Sequence, residues 1–308
     1  MSQTKQWPNT AMVGYIDTTA TGAMSAITKE QIQNYNVIIF GFTDANGELP
    51  PQLQQAIKEI RELEAPDTLN LISVGGAGGT LSLTSQTITN LLSGLKSEQL
   101  DGIDLDLEDP SIDIDTLSSF TAELSLQLAD NYLLTMAPIL AGTPDQPTLN
   151  IPGGASLKPL YSQLHFDAIL VQAYNSGTYF SYPLPSDKNV LVSESSTNII
   201  SAAYNSLQKD GEILSTSKIV IGIPSNAGAA PTQSNLWDTV NFEAIPVEIL
   251  SNVKSIQLGE YGIDATQFGG LMSWSLNCDA QPSSYPPYSG VQNSPAGYFA
   301  AKVASKVV

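Results

Sequence analysis

Residues 101–108 read DGIDLDLE. Asp104, Asp106 and Glu108 alternate with Leu105 and Leu107. A period of two is that of a β-strand, so the three acids share one face and the leucines the other. Neighbouring acids then stand roughly 6.6 Å apart along the strand, at about 3.3 Å rise per residue. An ionised carboxylate is costly to bury without partners, and its usual response is a shifted pKa. A strand that carries three acids on one face is not ordinary core.

Outward from this stretch, seven further short apolar runs recur along the chain. The eight predicted strands are Met12–Asp17, Val37–Phe42, Leu69–Val74, Gly102–Glu108, Leu133–Ala137, Ala168–Tyr174, Ile219–Pro224 and Phe268–Leu276. Most are apolar on both faces, as strands of a buried parallel sheet are. Between them lie amphipathic stretches such as Leu53–Leu63, Thr87–Leu95, Thr116–Leu128 and Val247–Leu258. Strand–helix alternation with eight strands predicts an α/β fold, a (β/α)8 TIM barrel in a single domain. In such barrels chemistry sits at the C-terminal ends of the strands. Glu108 is expected to close the fourth.

The chain has 308 residues, 42% hydrophobic and 14% charged, which fits one soluble barrel with a sizeable core. No window approaches the roughly 20 apolar residues of a membrane span. The N-terminal MSQTKQWPNT carries no apolar run, so no signal peptide is read there. Thirty acids against 12 bases give a net charge of −18. A field of that sign repels nucleic acid and anionic membranes and suits a neutral substrate. Cys278 is the single cysteine, so an intramolecular disulfide is excluded. His165 is the single histidine, which excludes multi-histidine metal sites and leaves His165 as the one base for a serine triad. It precedes a predicted strand, the wrong end of a barrel for chemistry. The run GGAGGT at 75–80 lacks the Lys-Ser/Thr that completes a phosphate loop. Its glycines, Gly75 among them, are read as letting the backbone approach the active centre. Three acids on one strand could also hold Mg²⁺ or Mn²⁺, but without water-rich loop ligands that fit is poor. No metal or cofactor is expected.

DGIDLDLE resembles the D-G-x-D-x-D-x-E signature of glycoside hydrolase family 18, the chitinases and their relatives. The likeness extends to Ser73-Val-Gly75-Gly76 (S-x-G-G), Met136-Ala137-Pro138 (M-x-P), Gln172-Ala-Tyr174-Asn175 (Q-x-Y-N) and Trp274 after Met272-Ser273. Residues 225–267 leave no room for the insertion domain that gives some members a deep cleft. The chain therefore looks like the compact plant-type and bacterial D-type group, with an open groove.

The resemblance implies a retaining, substrate-assisted cleavage of β-1,4-linked N-acetylglucosamine, with chitin or chito-oligosaccharides as substrate. Glu108 is then the general acid, its pKa raised by the neighbouring Asp106. Asp106 orients the 2-acetamido group, and Asp104 lies deeper, sharing a proton or hydrogen bond with Asp106. The Tyr174 hydroxyl bonds the acetamido oxygen, and Trp274 forms an apolar floor. Asn175 and Gln172 are polar neighbours. Tyr15, Phe42 and Met136 fall near strand ends and are read as pocket lining or core. Asp101 is read as structural, in the turn before the strand. Tyr179, Phe180, Tyr182, Trp237, Tyr285 and Tyr288 are candidates for stacking at outlying subsites. Two other functions stay open: an endo-β-N-acetylglucosaminidase acting on N-glycans, and a silent sugar-binding or inhibitory barrel, of the kind that has lost the Glu. A monomer is expected. The substrate class favours secretion, and residence in the cytoplasm stays open.

Overall fold

A computed structural model describes residues 5–20, 24–176, 180–231, 235–288 and 290–308. In chain order the strands are β1 (Ala11–Asp17), β2 (Val37–Gly41), β3 (Leu69–Gly75), β4 (Gly102–Asp106), β5 (Leu133–Met136), β6 (Ile139–Thr143), β7 (Gln146–Asn150), β8 (Ala168–Gln172), β9 (Tyr182–Pro183), β10 (Leu191–Val192), β11 (Lys218–Pro224) and β12 (Phe268–Trp274). Eight of them, β1 to β5 with β8, β11 and β12, run parallel, and β12 pairs back with β1 to close the ring. The helices are α1 (Lys29–Ile32), α2 (Pro51–Arg61), α3 (Ser85–Glu98), α4 (Ile114–Leu128), α5 (Lys158–Tyr161), α6 (Ile199–Asp210), α7 (Ile245–Gln257), α8 (Leu276–Ala280) and α9 (Ser305–Val307). The whole is one (β/α)8 barrel.

Alternation along each strand sorts the side chains into two layers. Val13, Ile39, Leu71, Leu133, Leu170 and Val220 fill the barrel interior. Ile16, Phe40, Ile72, Ile103, Leu105 and Leu107 belong to the outer layer, with core residues of the helices such as Leu91, Leu117 and Ile249. Each fully buried leucine or isoleucine contributes roughly 1.5–3 kcal/mol.

The four amphipathic stretches form α2, α3, α4 and α7, each starting two residues earlier than the apolar pattern predicts. The helix begins at its cap, which the apolar pattern does not register. Thr84 accepts from the Thr87 N–H, and Asp113 from the Thr116 N–H at 2.8 Å. Proline at the first position opens α2.

Five strands end one or two residues sooner than expected, and two of these bear on the site. The fourth stops at Asp106, whose carbonyl takes its last bond from the Gly76 N–H at 2.7 Å. Glu108 therefore stands two residues beyond the strand. The sixth barrel strand, β8, stops at Gln172, which leaves Tyr174 and Asn175 in the loop after it.

An antiparallel hairpin, β6–β7, was not expected. β5 pairs with β8 over only two residues, Thr135 and Met136, so the wall parts above them. β6 enters the gap, with Ile139 beside Gln172 and the Gln172 N–H on the Pro138 carbonyl at 2.9 Å.

Candidate active site

Asp104 is fully buried inside the barrel. The Tyr15 and Ser73 hydroxyls donate to its Oδ2 and the Thr135 hydroxyl to its Oδ1, each at 2.7 Å. These donors come from β1, β3 and β5, the inward residues of strands around it. Burial lifts the Asp104 pKa above the usual range, and the three hydroxyls pull it back. Among the described residues, no hydrogen bond joins Asp104 to Asp106, so the shared bond expected from sequence is replaced by a cage of hydroxyls.

Asp106 is 3% exposed and half-buried Glu108 sits above it. Gln172 spans the two. Its Nε2 donates to Asp106 Oδ1 at 3.0 Å, reaches Glu108 Oε1 at 3.4 Å and meets the Ala137 carbonyl at 2.9 Å. All three partners are acceptors, so the amide nitrogen must face them. Burial raises the pKa of Asp106 well above the carboxylate range, with the charges of Glu108 and Asp104 adding to the rise. The Glu108 pKa is raised too, and burial is the cause. Removal from water acts there against the Gln172 donor, and the repulsion between the Asp106 and Glu108 carboxylates is mutual, so a charge on either disfavours a charge on the other.

Gly75 sets the approach of β3 to this strand. Its φ is +98°, and a Cβ there would lie 2.1 Å from the Asp106 carbonyl oxygen. Only glycine fits.

Above the acids, Asp106, Glu108, Gln172, Tyr174, Asn175 and Trp274 line one cavity of about 130 Å³, with Ala77, Ile139 and Pro152 completing its wall. Tyr174 is 4% exposed, and among the described residues its hydroxyl bonds to no other group. A core tyrosine would have found a carbonyl. Asn175 holds a left-handed φ of +61° at the rim. The Trp274 ring lies 5.7 Å from Tyr15 and stacks at 6.3 Å on Phe42. The peptides Gly41–Phe42 and Trp274–Ser275 are cis. Hollows of about 550 and 530 Å³ lie elsewhere, lined by residues such as Asn241 and Glu248, and Lys188 and Lys209, and neither holds the carboxylates.

The pattern of glycosyl hydrolases family 18 matches residues 11–243. The chain belongs to that family. A family 18 chitinase from Chromobacterium violaceum superposes with a TM-score of 0.58 at 19% identity, over 97% of this chain and 85% of its own. A fungal endo-β-N-acetylglucosaminidase of the family superposes with a TM-score of 0.60 at 18% identity, over 96% of both chains. The xylanase and α-amylase inhibitor protein of Scadoxus multiflorus gives 0.54 at 21% identity, over 92% of this chain and 99% of its own. At such identities the likeness is one of fold. No curated protein sequence matches the chain.

Several residues of this family 18 chain lie away from where sequence reasoning put them. Met136 is outward, in the layer beneath the helices, because Leu133 and Thr135 take the inward positions of β5. It does not line the cavity. Tyr15 is 1% exposed and serves Asp104 rather than the cavity wall. Tyr182 and Trp237 are buried, their polar tips donating to the carbonyls of Ala141 and Pro224, so neither can stack on a sugar. Phe180 packs against the core, Tyr285 is partly buried and Tyr288 is exposed. Tyr179 lies outside the described residues. Asp101 is structural as read, accepting from the Asn70 N–H and from Lys5 Nζ. His165 pairs with Thr216 beside Asp167, before β8 and away from the acids. Sequence reasoning missed Ile139 and Pro152, which the hairpin brings to the cavity, and the donors Ser73 and Thr135. Ser73 stood in a quoted motif, and Thr135 had only its inward parity on β5 as a signal.

Proposed function

We propose that the protein hydrolyses β-1,4 links between N-acetylglucosamine units with retention of configuration. The observation that carries this reading is Tyr174, whose hydroxyl bonds to no other group among the described residues, set in one cavity with Asp106, Glu108 and Trp274. Glu108, its pKa raised by burial, holds a proton and gives it to the departing glycosidic oxygen. The substrate's own acetamido oxygen attacks the anomeric carbon, so the enzyme supplies no nucleophile. Asp106 accepts the acetamido N–H and balances the positive oxazolinium. The Tyr174 hydroxyl donates to the acetamido oxygen in the attacking geometry. Glu108, now ionised, takes a proton from water as it opens the ring intermediate from the same face. Trp274 offers an apolar face to the C–H side of the sugar. The net charge of −18 suits a neutral glycan. Chitin or its soluble oligomers are the substrate we favour.

The test is a product profile on chitohexaose beside one on a high-mannose glycopeptide. Cleavage of the oligomer with β-anomeric first products supports the reading. Release of the glycan alone makes the protein an endo-β-N-acetylglucosaminidase, and tight binding without turnover of either makes it a sugar-binding barrel. Glu108→Gln should keep the fold and lose on the order of a hundredfold or more in rate. A near wild-type rate in that variant refutes the assignment of the acid.

A further inference from the structure

The loop between β8 and α6 leaves the barrel at Gln172, carries Tyr174 and Asn175 into the cavity, and returns through the small β9–β10 ladder. Two residues after β10, Glu194 is 4% exposed. Its carboxylate comes back to the start of the same loop. The Ser176 N–H reaches Oε2 at 3.2 Å and Oε1 at 3.4 Å, and the Ser176 hydroxyl donates to Oε1. Between Tyr174 and Ser176 stands Asn175, with its φ of +61°. Asparagine enters that region more readily than other non-glycine residues, as a single turn residue. Ser176 is the next residue, and both of its donors are fixed by one buried carboxylate.

We propose that Glu194 is a positioning residue, which clasps Ser176 and so holds the Tyr174–Asn175 turn open toward the cavity. The inference deepens the glycosidase reading and rests on it for its kinetic arm. A carboxylate is suited to this task because it offers acceptors only, and both Ser176 groups are donors. Bonds to a charged acceptor are about twice as strong as neutral ones. Burial raises the pKa values of the Tyr174 and Tyr182 phenols, and the same carboxylate stands near enough to add to both. Tyr182 in turn anchors to the Ala141 carbonyl of the hairpin. One buried anion therefore sits where the loop, the hairpin and the cavity wall meet, without touching the cavity itself.

The role separates from simple structural support by kinetics. Glu194→Gln keeps the shape and offers one carbonyl in place of two carboxylate oxygens. It should lower kcat on chitohexaose about tenfold or more, as a small misplacement of a reacting group does, with KM little changed. Combined with Tyr174→Phe it should cost no more than Tyr174→Phe alone, within about twofold, because both changes remove the same contact. Losses that multiply in the double variant, or a wild-type kcat in Glu194→Gln, overturn the proposal. Ser176→Ala, which keeps the N–H donor, should move kcat the same way by less, and serves where Glu194→Gln fails to fold. A crystal structure of the variant gives an arm that does not depend on turnover. The Tyr174 hydroxyl should be displaced and Asn175 should leave the left-handed region. A Tyr174–Asn175 turn unchanged in the variant overturns the inference. Absence of wild-type turnover on chitohexaose and on the glycopeptide defeats the proposed function instead.

Discussion

Replacing Gln172 by methionine removes the one donor that spans Asp106 and Glu108 while keeping nearly the same length and volume. Gln172 stabilises the ionised form of both carboxyls, and its bond lowers the pKa of each. Gln172→Met therefore raises both. A hydrogen bond to a charged group is worth about 1.5–3 kcal/mol. At about 1.36 kcal/mol per pKa unit, that is roughly one to two units if a single carboxylate received all of it. Two N–H groups here serve three acceptors at 2.9, 3.0 and 3.4 Å, so the carboxyl pair receives only part. We expect both limbs of the pH profile of kcat/KM to move about one unit toward alkaline pH. The assay is hydrolysis of a fluorogenic chitobioside from pH 3 to pH 9, scanned in half-unit steps (roughly the spacing needed to see a one-unit shift). The Ala137 carbonyl also loses its donor, so urea unfolding should show a loss of about 1–3 kcal/mol. A profile that stays in place, or moves toward acid, refutes the reasoning that Gln172 holds the charge of this pair.

Gly75→Ala should be more damaging than any change to a cavity wall, because its Cβ would meet the Asp106 carbonyl at 2.1 Å; normal thermal stability with full activity would contradict this. Tyr15→Phe removes one of three hydroxyls from Asp104 and should cost about 1.5–3 kcal/mol in urea unfolding, and no measurable cost would show that the cage is loose. Asp279 is buried against the N–H groups of Phe299 and Ala300, and burial raises its pKa from 3.8 to about 7. The folded state then binds this proton more tightly than the unfolded chain, so its contribution to stability is fully present below pH 3.8 and is lost as pH rises through about 7. Asp279→Asn should flatten that part of the stability–pH curve, and identical slopes for variant and wild type would disprove the shift.

The barrel was legible because its strands are buried on both faces and its helices on one, and those two patterns are what burial writes into sequence. The acid strand was legible for the same reason. Which parity faces inward is not written in a run that is apolar throughout, and Met136 was misplaced for that reason. Thr135, beside it, was the available clue, since a buried hydroxyl needs a partner. The hairpin lies in a stretch, Ile139–Asn150, where Pro144 and Pro147 remove backbone donors and blur the strand pattern. The two-residue Pro144-Asp145 connection was nevertheless a turn signal. Tyr182 and Trp237 were misjudged because loop aromatics look exposed until the carbonyls that bind their polar tips are known. Glu194 had no signal at all: its contact with Ser176 lies 18 residues back along the chain.

Three acids on one strand do not make three equivalent acids, and the difference follows from what each can reach. Asp104 has no solvent but three hydroxyl donors, which support a charge. Asp106 is almost as buried, has one amide donor and lies between two other carboxyls, so it has the strongest reason of the three to keep a proton. Glu108, beyond the end of the strand, keeps part of its solvent, and burial raises its pKa. In the proposed reaction, a sugar seated against Trp274 takes away that remaining water and raises the Glu108 pKa further. Binding then favours a protonated Glu108 at the moment an acid is needed. Once that proton has gone to the leaving oxygen, the new Glu108 anion raises the cost of a charge on Asp106. The positive oxazolinium offsets that cost while it exists. On that proposal the early end of β4 is part of the chemistry: it leaves one acid at the mouth, where the substrate itself completes its burial.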